Sequence, residues 1–470
     1  MIGCNPLKCL CCCCKIPQRV VLAILLHLAL QNSYNMRVAL NLAINEMVEP
    51  PVVTNITDVA CPMFQLNEKP RKGGKYPWPR EAEARILYAF YGGYAISHVP
   101  FGYIADSYGA RHVLGSSMIA SVVLTIIFPI CIQYGGEWTA FVLRFLIGIA
   151  QGAVLPAIAS MVSRWIPDFE RPFLGSLAYS GSNLGPILTY AFTGLIIEGT
   201  NDWRNAFYVW AGISGIYVIL HYLYMFSFPN THPFLLKEEL TYLEETVVVA
   251  HRKKTPWTKI LLCVPVWANI AGHSGHNYIF YMMATFLPTY MKDILRFNIT
   301  ENGMLSAIPF LCLWMGSLGI GALANCIINK GWISRYNFGR IFGTMGNWGS
   351  ALIILGAVYA GCNRELVVSL FCIAMVFKSL YYMTMTNNIN ELSRNYGGII
   401  FAINNGLNCM TAIIGGLIVG AVTKNRRLSE WRIVFWIMFG WAILSSIVYI
   451  IWSSSERQEF DFEEQETPKN

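Results

Sequence analysis

Charge is what this 470-residue chain has least of. Asp, Glu, Lys and Arg together make up 13% of it, about half the share of an ordinary soluble domain. That scarcity excludes the soluble globular class, and no nucleic-acid partner is expected. Also missing are the groupings on which enzymes rest. The chain shows no nucleophile–base set, no spaced Cys or His ligand cluster and no Gly-rich phosphate loop. No enzymatic activity, resident cofactor or bound metal is therefore expected. Acid is scarcest inside the long apolar stretches: Glu46, Glu137, Glu198 and Glu391 fall near their ends, and no Asp or Glu lies deep in one.

Apolar residues are abundant, at 55% of the chain with a mean hydropathy of +0.44. They come in runs, as at 113–132, 207–228, 351–360 and 433–452. About 20 apolar residues match the thickness of a bilayer core. Backbone groups in lipid must pair within their own segment, so each run reads as a helix. Twelve spans are expected, at 20–46, 85–105, 113–133, 138–162, 172–197, 205–228, 262–290, 303–328, 337–361, 366–389, 397–422 and 432–453. Interior Gly181, Gly185 and Pro186 then mark close contacts or kinks. The fold class is an all-α membrane protein that spends its life in the lipid bilayer.

An even span count puts both termini on one side. Basic short loops at 163–172 and 329–340, with the basic segment 229–260, place that side in the cytosol. The long first loop, 48–84, then lies outside or in a lumen, and Asn55-Ile56-Thr57 makes Asn55 a glycosylation candidate. Cys61 and Cys362 both fall in outer loops, and their pairing stays open. The N-terminal stretch KCLCCCCK places Cys9, Cys11, Cys12, Cys13 and Cys14 beside the first span, a pattern for S-palmitoylation. A metal-binding tract is the alternative, but no His or CxxC spacing supports it. The acidic tail SERQEFDFEEQETPKN is expected to be disordered.

The chain repeats itself loosely. Gly102-Tyr103-Ile104-Ala105-Asp106 ends the second span, and Gly321-Ala322-Leu323-Ala324-Asn325 ends the eighth. Each is the second span of a six-span half, an arrangement found in secondary transporters. The expected organisation is a tail at 1–19, a first half at 20–228, a cytosolic middle loop at 229–261, a second half at 262–453 and an acidic tail at 454–470.

Three cations sit inside spans: Arg37 in the first, Arg144 in the fourth and Lys378 in the tenth. A cation at a helix centre costs at least about 2.5–3.5 kcal/mol. With no acid to pair them, a water-filled electropositive cavity is expected, with an anion as the missing partner. Arg144, Gly148, Gln151 and Gly152 fall on one helical face. Glycines there admit another helix or a ligand, and a plain packing stripe is the simpler reading of them. For Lys378 a structural reading stands beside the functional one, because its long stem can snorkel to an interface.

The segment GGYAISHVPFGYIADSYGARHVLG (92–115) resembles the loop motif of the major facilitator superfamily. RFLIGIAQG, SRWIPDFER, PNTHP, NYIFYMMATFLPTYMKDILRFNITENG and WRIVFWI follow in order, and together they resemble solute carrier family 17. That family includes sialin, the vesicular glutamate transporters and the sodium/phosphate cotransporters. The resemblance implies the superfamily fold: twelve transmembrane helices in two six-helix halves working by alternating access. It implies that Arg37 and Arg144 face the substrate, that Tyr281 and Asn405 line the same site, and that Asp106 and Arg111 belong to a cytosolic gating loop.

Departures narrow the reading. Gln151 stands where sialin and the glutamate carriers have a glutamate tied to proton coupling, and glutamine does not titrate. It resembles the sodium/phosphate and organic-anion branch. His276 stands where the glutamate carriers have an arginine, and His273 shares its face. Either histidine can take up a proton at near-neutral pH, although a pair of neutral hydrogen-bonding rings is the simpler reading. His98 replaces a usual glutamine and reads as a packing or hydrogen-bonding residue. The expected function is transport of inorganic phosphate or a small organic anion, with sodium as the co-transported ion that the branch implies or with membrane potential as the driving force. No sodium site is visible. A plasma-membrane monomer is the main expectation. A proton-coupled lysosomal or vesicular carrier of acidic sugars or amino acids is the alternative, and a non-transporting anion receptor is the remote one.

Overall fold

The computed structural model describes residues 16–49, 61, 76–167, 169–247, 255–393 and 396–462. Asn55 and the cysteines Cys9, Cys11, Cys12, Cys13 and Cys14 lie outside the described residues. The first half contains α1 (Gln18–Met47), α2 (Arg80–Tyr108), α3 (Ala110–Gln151), α4 (Val154–Trp165), α5 (Arg171–Thr200) and α6 (Arg204–Tyr224). Two short helices follow in the middle segment, α7 (Lys237–Thr246) and α8 (Trp257–Leu262). The second half contains α9 (Val264–Asp293), α10 (Ile299–Asn329), α11 (Arg335–Tyr359), α12 (Arg364–Lys378), α13 (Leu380–Met383), α14 (Met385–Leu392), α15 (Gly397–Val422) and α16 (Leu428–Trp452). These helices account for the twelve expected spans and make the chain an integral, multi-pass membrane protein.

Among the described residues, six helical segments are long and apolar enough by themselves to cross a bilayer: α3 with α4, then α6, α10, α11, α15 and α16. Helix α1 shows why others miss that mark. It buries Asn32, Ser33, Asn35, Arg37, Asn41 and Asn45. Those polar groups face protein rather than lipid, where each finds or awaits a partner.

Two departures from straight spans have local causes. Spans three and four run as one helical stretch that reverses at Gly136, whose φ of 61° suits a residue without Cβ. Span four continues from α3 into α4 through Gly152 and Ala153, which keep helical backbone angles. Span ten, expected as one helix, is three pieces. Thr384 leaves helical geometry (φ −116°, ψ −88°), and its Oγ1 donates to the carbonyls of Leu380 and Tyr381. Ser379 Oγ likewise donates to Val376 O. Hydroxyls that bond back to their own helix compete with its ladder and bend it.

The middle segment, expected as a loop, carries α7, and this helix docks on the first half. Glu239 accepts from the backbone N–H groups of Gln18 and Arg19 at 2.9 and 3.2 Å, which caps the start of α1 from a distant part of the chain. Arg19 also pairs with Glu170 at 2.7 Å.

The halves meet mainly through α2 on α15 and α5 on α10. At the end opposite the termini the contact is ionic and buried. Arg80 pairs with Glu83 at 2.8 Å and with Asp293, while Arg426 pairs with Glu83. Arg80 Nε also donates to Thr423 Oγ1 at 3.1 Å. Arg80 and Glu83 belong to the first half; Asp293, Thr423 and Arg426 belong to the second. A disulfide between Cys61 and Cys362, with Cα atoms 5.4 Å apart, joins the same two halves. The pairing left open by the sequence is thus made, and Cys61 N–H also donates to Ile294 O at 2.9 Å.

Candidate functional site

The site grows from α1 and α3. Helix α1 places the Arg37 guanidinium among three rings, with its Cζ 4.4 Å from the Tyr34 centroid, 4.3 Å from Phe90 and 5.1 Å from Tyr94. Helix α2 supplies Phe90 and Tyr94 one turn apart, so both rings share its inner face. Arg37 Nε donates to Gln151 Oε1 at 3.3 Å. Arg144 NH2 donates to the Arg37 carbonyl at 3.1 Å, and its Cζ lies 5.4 Å from Phe90. The expected face of Arg144 and Gln151 is therefore real, and both residues converge on Arg37.

The glycines of that face admit a helix. A Cβ on Gly148 would overlap the Phe90 carbonyl oxygen, and one on Gly152 would overlap Ser97 Oγ. Helices α2 and α3 thus approach backbone to backbone. That close approach carries Phe90 to within reach of both arginines.

The second half closes over this group. Tyr281 on α9 lies 4.8 Å from Tyr91, ring to ring, and its hydroxyl is 3.7 Å from Cys409 Sγ. Tyr91 OH and Thr285 Oγ1 are 3.2 Å apart. Asn405 on α15 donates to Tyr94 OH at 3.4 Å and sits 3.5 Å from His98 Nε2. Arg37, Arg144, Gln151, Tyr281, Asn405 and His98 thus share one neighbourhood spanning both halves.

The electrostatics differ from a water-filled cavity in one respect. Arg37 is 7% exposed and Arg144 is 2% exposed. Aromatic faces, a carbonyl and an amide enclose them in place of water. A desolvated cation–π contact contributes about 2 kcal/mol, so the rings around Arg37 offset much of the cost of burying it. No carboxylate among the described residues pairs with Arg37, Arg144 or Lys378. Two buried donors, Arg144 Nε and Gln151 Nε2, have no acceptor among those residues. A buried donor without an acceptor calls for an explanation, here as at the other orphaned donors of this chain.

A second group lies in the other half. Lys378 does not snorkel: it is 1% exposed, and its Nζ donates to the His276 carbonyl at 2.5 Å and lies 3.0 Å from His276 Nδ1. Tyr381 stacks on His276 and hydrogen-bonds His273 Nδ1. His273 Nε2 lies 3.2 Å from Met385 O. A carbonyl only accepts, so Nε2 carries the proton and Nδ1 accepts from the Tyr381 hydroxyl. Lys378, Tyr381 and Met385 follow one another at i, i+3 and i+7 along span ten, and all three meet α9.

The expected gating pair stays within the first half. Asp106 lies 4.0 Å from Arg164, whose guanidinium donates to the Asp106 carbonyl at 2.8 Å. Arg111 donates to Tyr222 O at 2.6 Å, and its N–H donates to Ser227 Oγ at 3.0 Å. Sequence reasoning missed the aromatic ring set of Tyr34, Phe90 and Tyr94; their spacing beside Arg37 is invisible in one dimension. It also missed Tyr381 and the ionic cluster of Arg80, Glu83, Asp293 and Arg426.

The model of the Major Facilitator Superfamily matches residues 79–415. Sialin from Homo sapiens is 32% identical over 456 residues, covering 95% of this chain and 91% of its own. A Drosophila ananassae protein named "Putative inorganic phosphate cotransporter" is 29% identical over 448 residues, 93% of each chain. In three dimensions the inward open xylose transporter XylE from E. coli superposes with a TM-score of 0.66 at 12% identity, covering 93% of this chain and 95% of that one, a likeness of fold alone. The repeat of six helices, the motifs in order and these matches agree: the chain belongs to the major facilitator superfamily and, within it, to solute carrier family 17.

Proposed function

We propose that this protein carries small anions across a membrane by alternating access, with Arg37 and Arg144 holding the anionic group. The observation that carries the reading is the pair of buried, partnerless donors, Arg144 Nε and Gln151 Nε2, beside two arginines that no carboxylate neutralises. An oxyanion supplies both the acceptors and the charge. Tyr281 and Asn405 orient it from the second half, so that binding brings the halves together. Inorganic phosphate or a small organic anion is the substrate. The names of the relatives support that class: one is called an inorganic phosphate cotransporter and another sialin. Gln151 cannot titrate, which favours sodium coupling or membrane potential as the drive. The plasma membrane is then the site of action, with the termini cytosolic and the ionic cluster at the outer end.

A second reading draws on His273 and His276, packed against Tyr381, and on the likeness to sialin. There the carrier is proton-coupled in a lysosomal or vesicular membrane. Uptake of labelled phosphate, urate and glutamate, with sodium or choline and at pH 5.5 or 7.4, separates the two. Sodium-dependent uptake supports the first reading; sodium-independent uptake that rises at pH 5.5 supports the second. In either case Arg144→Ala is expected to abolish uptake while the protein remains at the cell surface, and retained uptake would remove Arg144 from the site.

A further inference from the structure

The second half carries a groove of about 560 Å³ on its outer surface, where α11 packs against α12 and α16. It lies toward the end of the bundle at which α1 begins and α16 ends, and Arg340 sits at its mouth. From Asn337 to Gly349 the α11 wall of the groove rises about 18 Å. That is close to the depth of one leaflet in a hydrocarbon core roughly 30 Å thick. Met345 and Trp348 stand exposed along this wall of a membrane span, so the groove opens to lipid. At the deep end the Phe377 ring lies against Gly349. One basic residue and no acidic one line the groove.

Arg340 has a structural duty. It donates to the carbonyl of Ile450 in the last turn of α16, where a helix leaves carbonyls without an intrahelical partner. That tie does not explain Thr344, one turn deeper. Thr344 lines the same groove and is 9% exposed, yet its Oγ1 has no partner among the described residues. A hydroxyl on a helix can bond back to its own ladder, as Ser350 does to the carbonyls of Gly346 and Asn347. Thr344 makes no such bond, and a buried donor without an acceptor calls for an explanation.

In order of depth the groove offers a cation, a buried donor and an apolar channel. A phospholipid carries the complementary groups in the same order: phosphate, ester carbonyl and acyl chain. Arg340 and Thr344 are about 6 Å apart along the helix axis, a span that the glycerol between a phosphate and an ester covers. Basic pockets between membrane helices hold anionic headgroups. A zwitterionic headgroup would bring a second cation to the mouth, which weakens its attraction to Arg340.

We propose that this groove binds one anionic phospholipid. Its phosphate sits at Arg340, its ester carbonyl accepts from Thr344, and its acyl chain runs past Met345 and Trp348 to Phe377. The lipid fills the space between α11, α12 and α16. The site shares no residue with the group around Arg37 and Arg144, and it stands whichever side of the membrane this end faces.

The test uses purified full-length protein in detergent, with bound lipid counted by native mass spectrometry. Phosphatidylglycerol is compared with phosphatidylcholine of the same acyl chains. Ether-linked phosphatidylglycerol, which keeps the phosphate and lacks the ester carbonyl, and glycerol phosphate, which lacks the chains, complete the set. Phosphatidylglycerol should bind about tenfold tighter than phosphatidylcholine, and the ester form about threefold tighter than the ether form. Glycerol phosphate should not displace it. Arg340→Gln should bring phosphatidylglycerol down to phosphatidylcholine, and Arg340→Lys should restore part of the difference. Thr344→Val should erase the ester preference and leave the headgroup preference standing. A mere tie between α11 and α16 would lower the melting temperature of Arg340→Gln and move neither ratio. Wild-type protein that binds phosphatidylglycerol and phosphatidylcholine alike overturns the proposal, even if Arg340→Gln fails to fold. So does an Arg340→Gln protein that keeps the headgroup preference. Displacement by glycerol phosphate overturns the lipid and leaves a site for a soluble phosphate.

Discussion

Gln151 shows how much one side chain decides. Its Oε1 already accepts from Arg37, and its Nε2 has no acceptor among the described residues. Gln151→Glu would keep the shape and replace the orphan donor with a carboxylate oxygen. At neutral pH that carboxylate neutralises Arg37 and competes with the substrate; protonation at lower pH removes the competition. The expected outcome is weaker anion uptake at pH 7.4, by about tenfold, with partial recovery at pH 5.5, measured as initial uptake rates. Gly148 acts by being small. Gly148→Val would drive a methyl-bearing carbon into the Phe90 carbonyl. Helices α2 and α3 would separate and Phe90 would leave the arginines, so loss of folded protein at the membrane is expected, checked by surface labelling.

Two elements carry the departures from straight helices, and each has its own test. Gly136 turns the chain between spans three and four at φ 61°, with open space around the place a Cβ would occupy. Only strain opposes Gly136→Ala: at φ 61° and ψ −149° the backbone sits in a region nearly reserved for glycine, at a cost of about 1–3 kcal/mol. A small fall in melting temperature is therefore expected, in contrast to Gly148→Val. In span ten, Thr384 opens the helix by bonding back to Leu380 and Tyr381. Thr384→Ala removes the competing hydroxyl and favours a straighter span, which would swing Tyr381 away from His273 and His276. Weaker transport with retained surface expression is the expected result; unchanged transport would show that the break is held by packing alone.

At the scale of the whole molecule, the buried cluster of Arg80, Glu83, Asp293 and Arg426 holds one end of the two halves shut. Removing one partner from a buried ion pair costs about 3–5 kcal/mol because the other charges remain buried. That cost falls on the state closed at this end and largely spares the state open there, where water reaches the charges. Glu83→Gln should therefore shift the population toward opening at that end. A Thr285→Cys reporter beside Tyr91 would then react faster with a membrane-impermeant thiol reagent applied from that side. The Cys61–Cys362 disulfide ties the same end covalently. Cys61→Ser is expected to raise the same labelling rate, and no change would show that the intervening loop leaves the tether slack.

Class, helices and buried cations all follow from the order of the residues. Apolar runs of bilayer length admit no other backbone arrangement, and a family's motifs in order fix which arrangement of helices follows. Arg37, Arg144 and Lys378 were legible because a charge inside an apolar run stands out in one dimension. What they touch was not legible. The ring set around Arg37 comes from α1 and α2, the orphan donors from α3, and the closing residues from α9 and α15. The sequence had also pictured those cations in open water, and it left Lys378 between a site and a snorkel. Only the packed structure decided these points. Burial is a property of neighbours brought from distant parts of the chain, and it is the His276 carbonyl of α9 that holds Lys378 inward rather than toward the lipid.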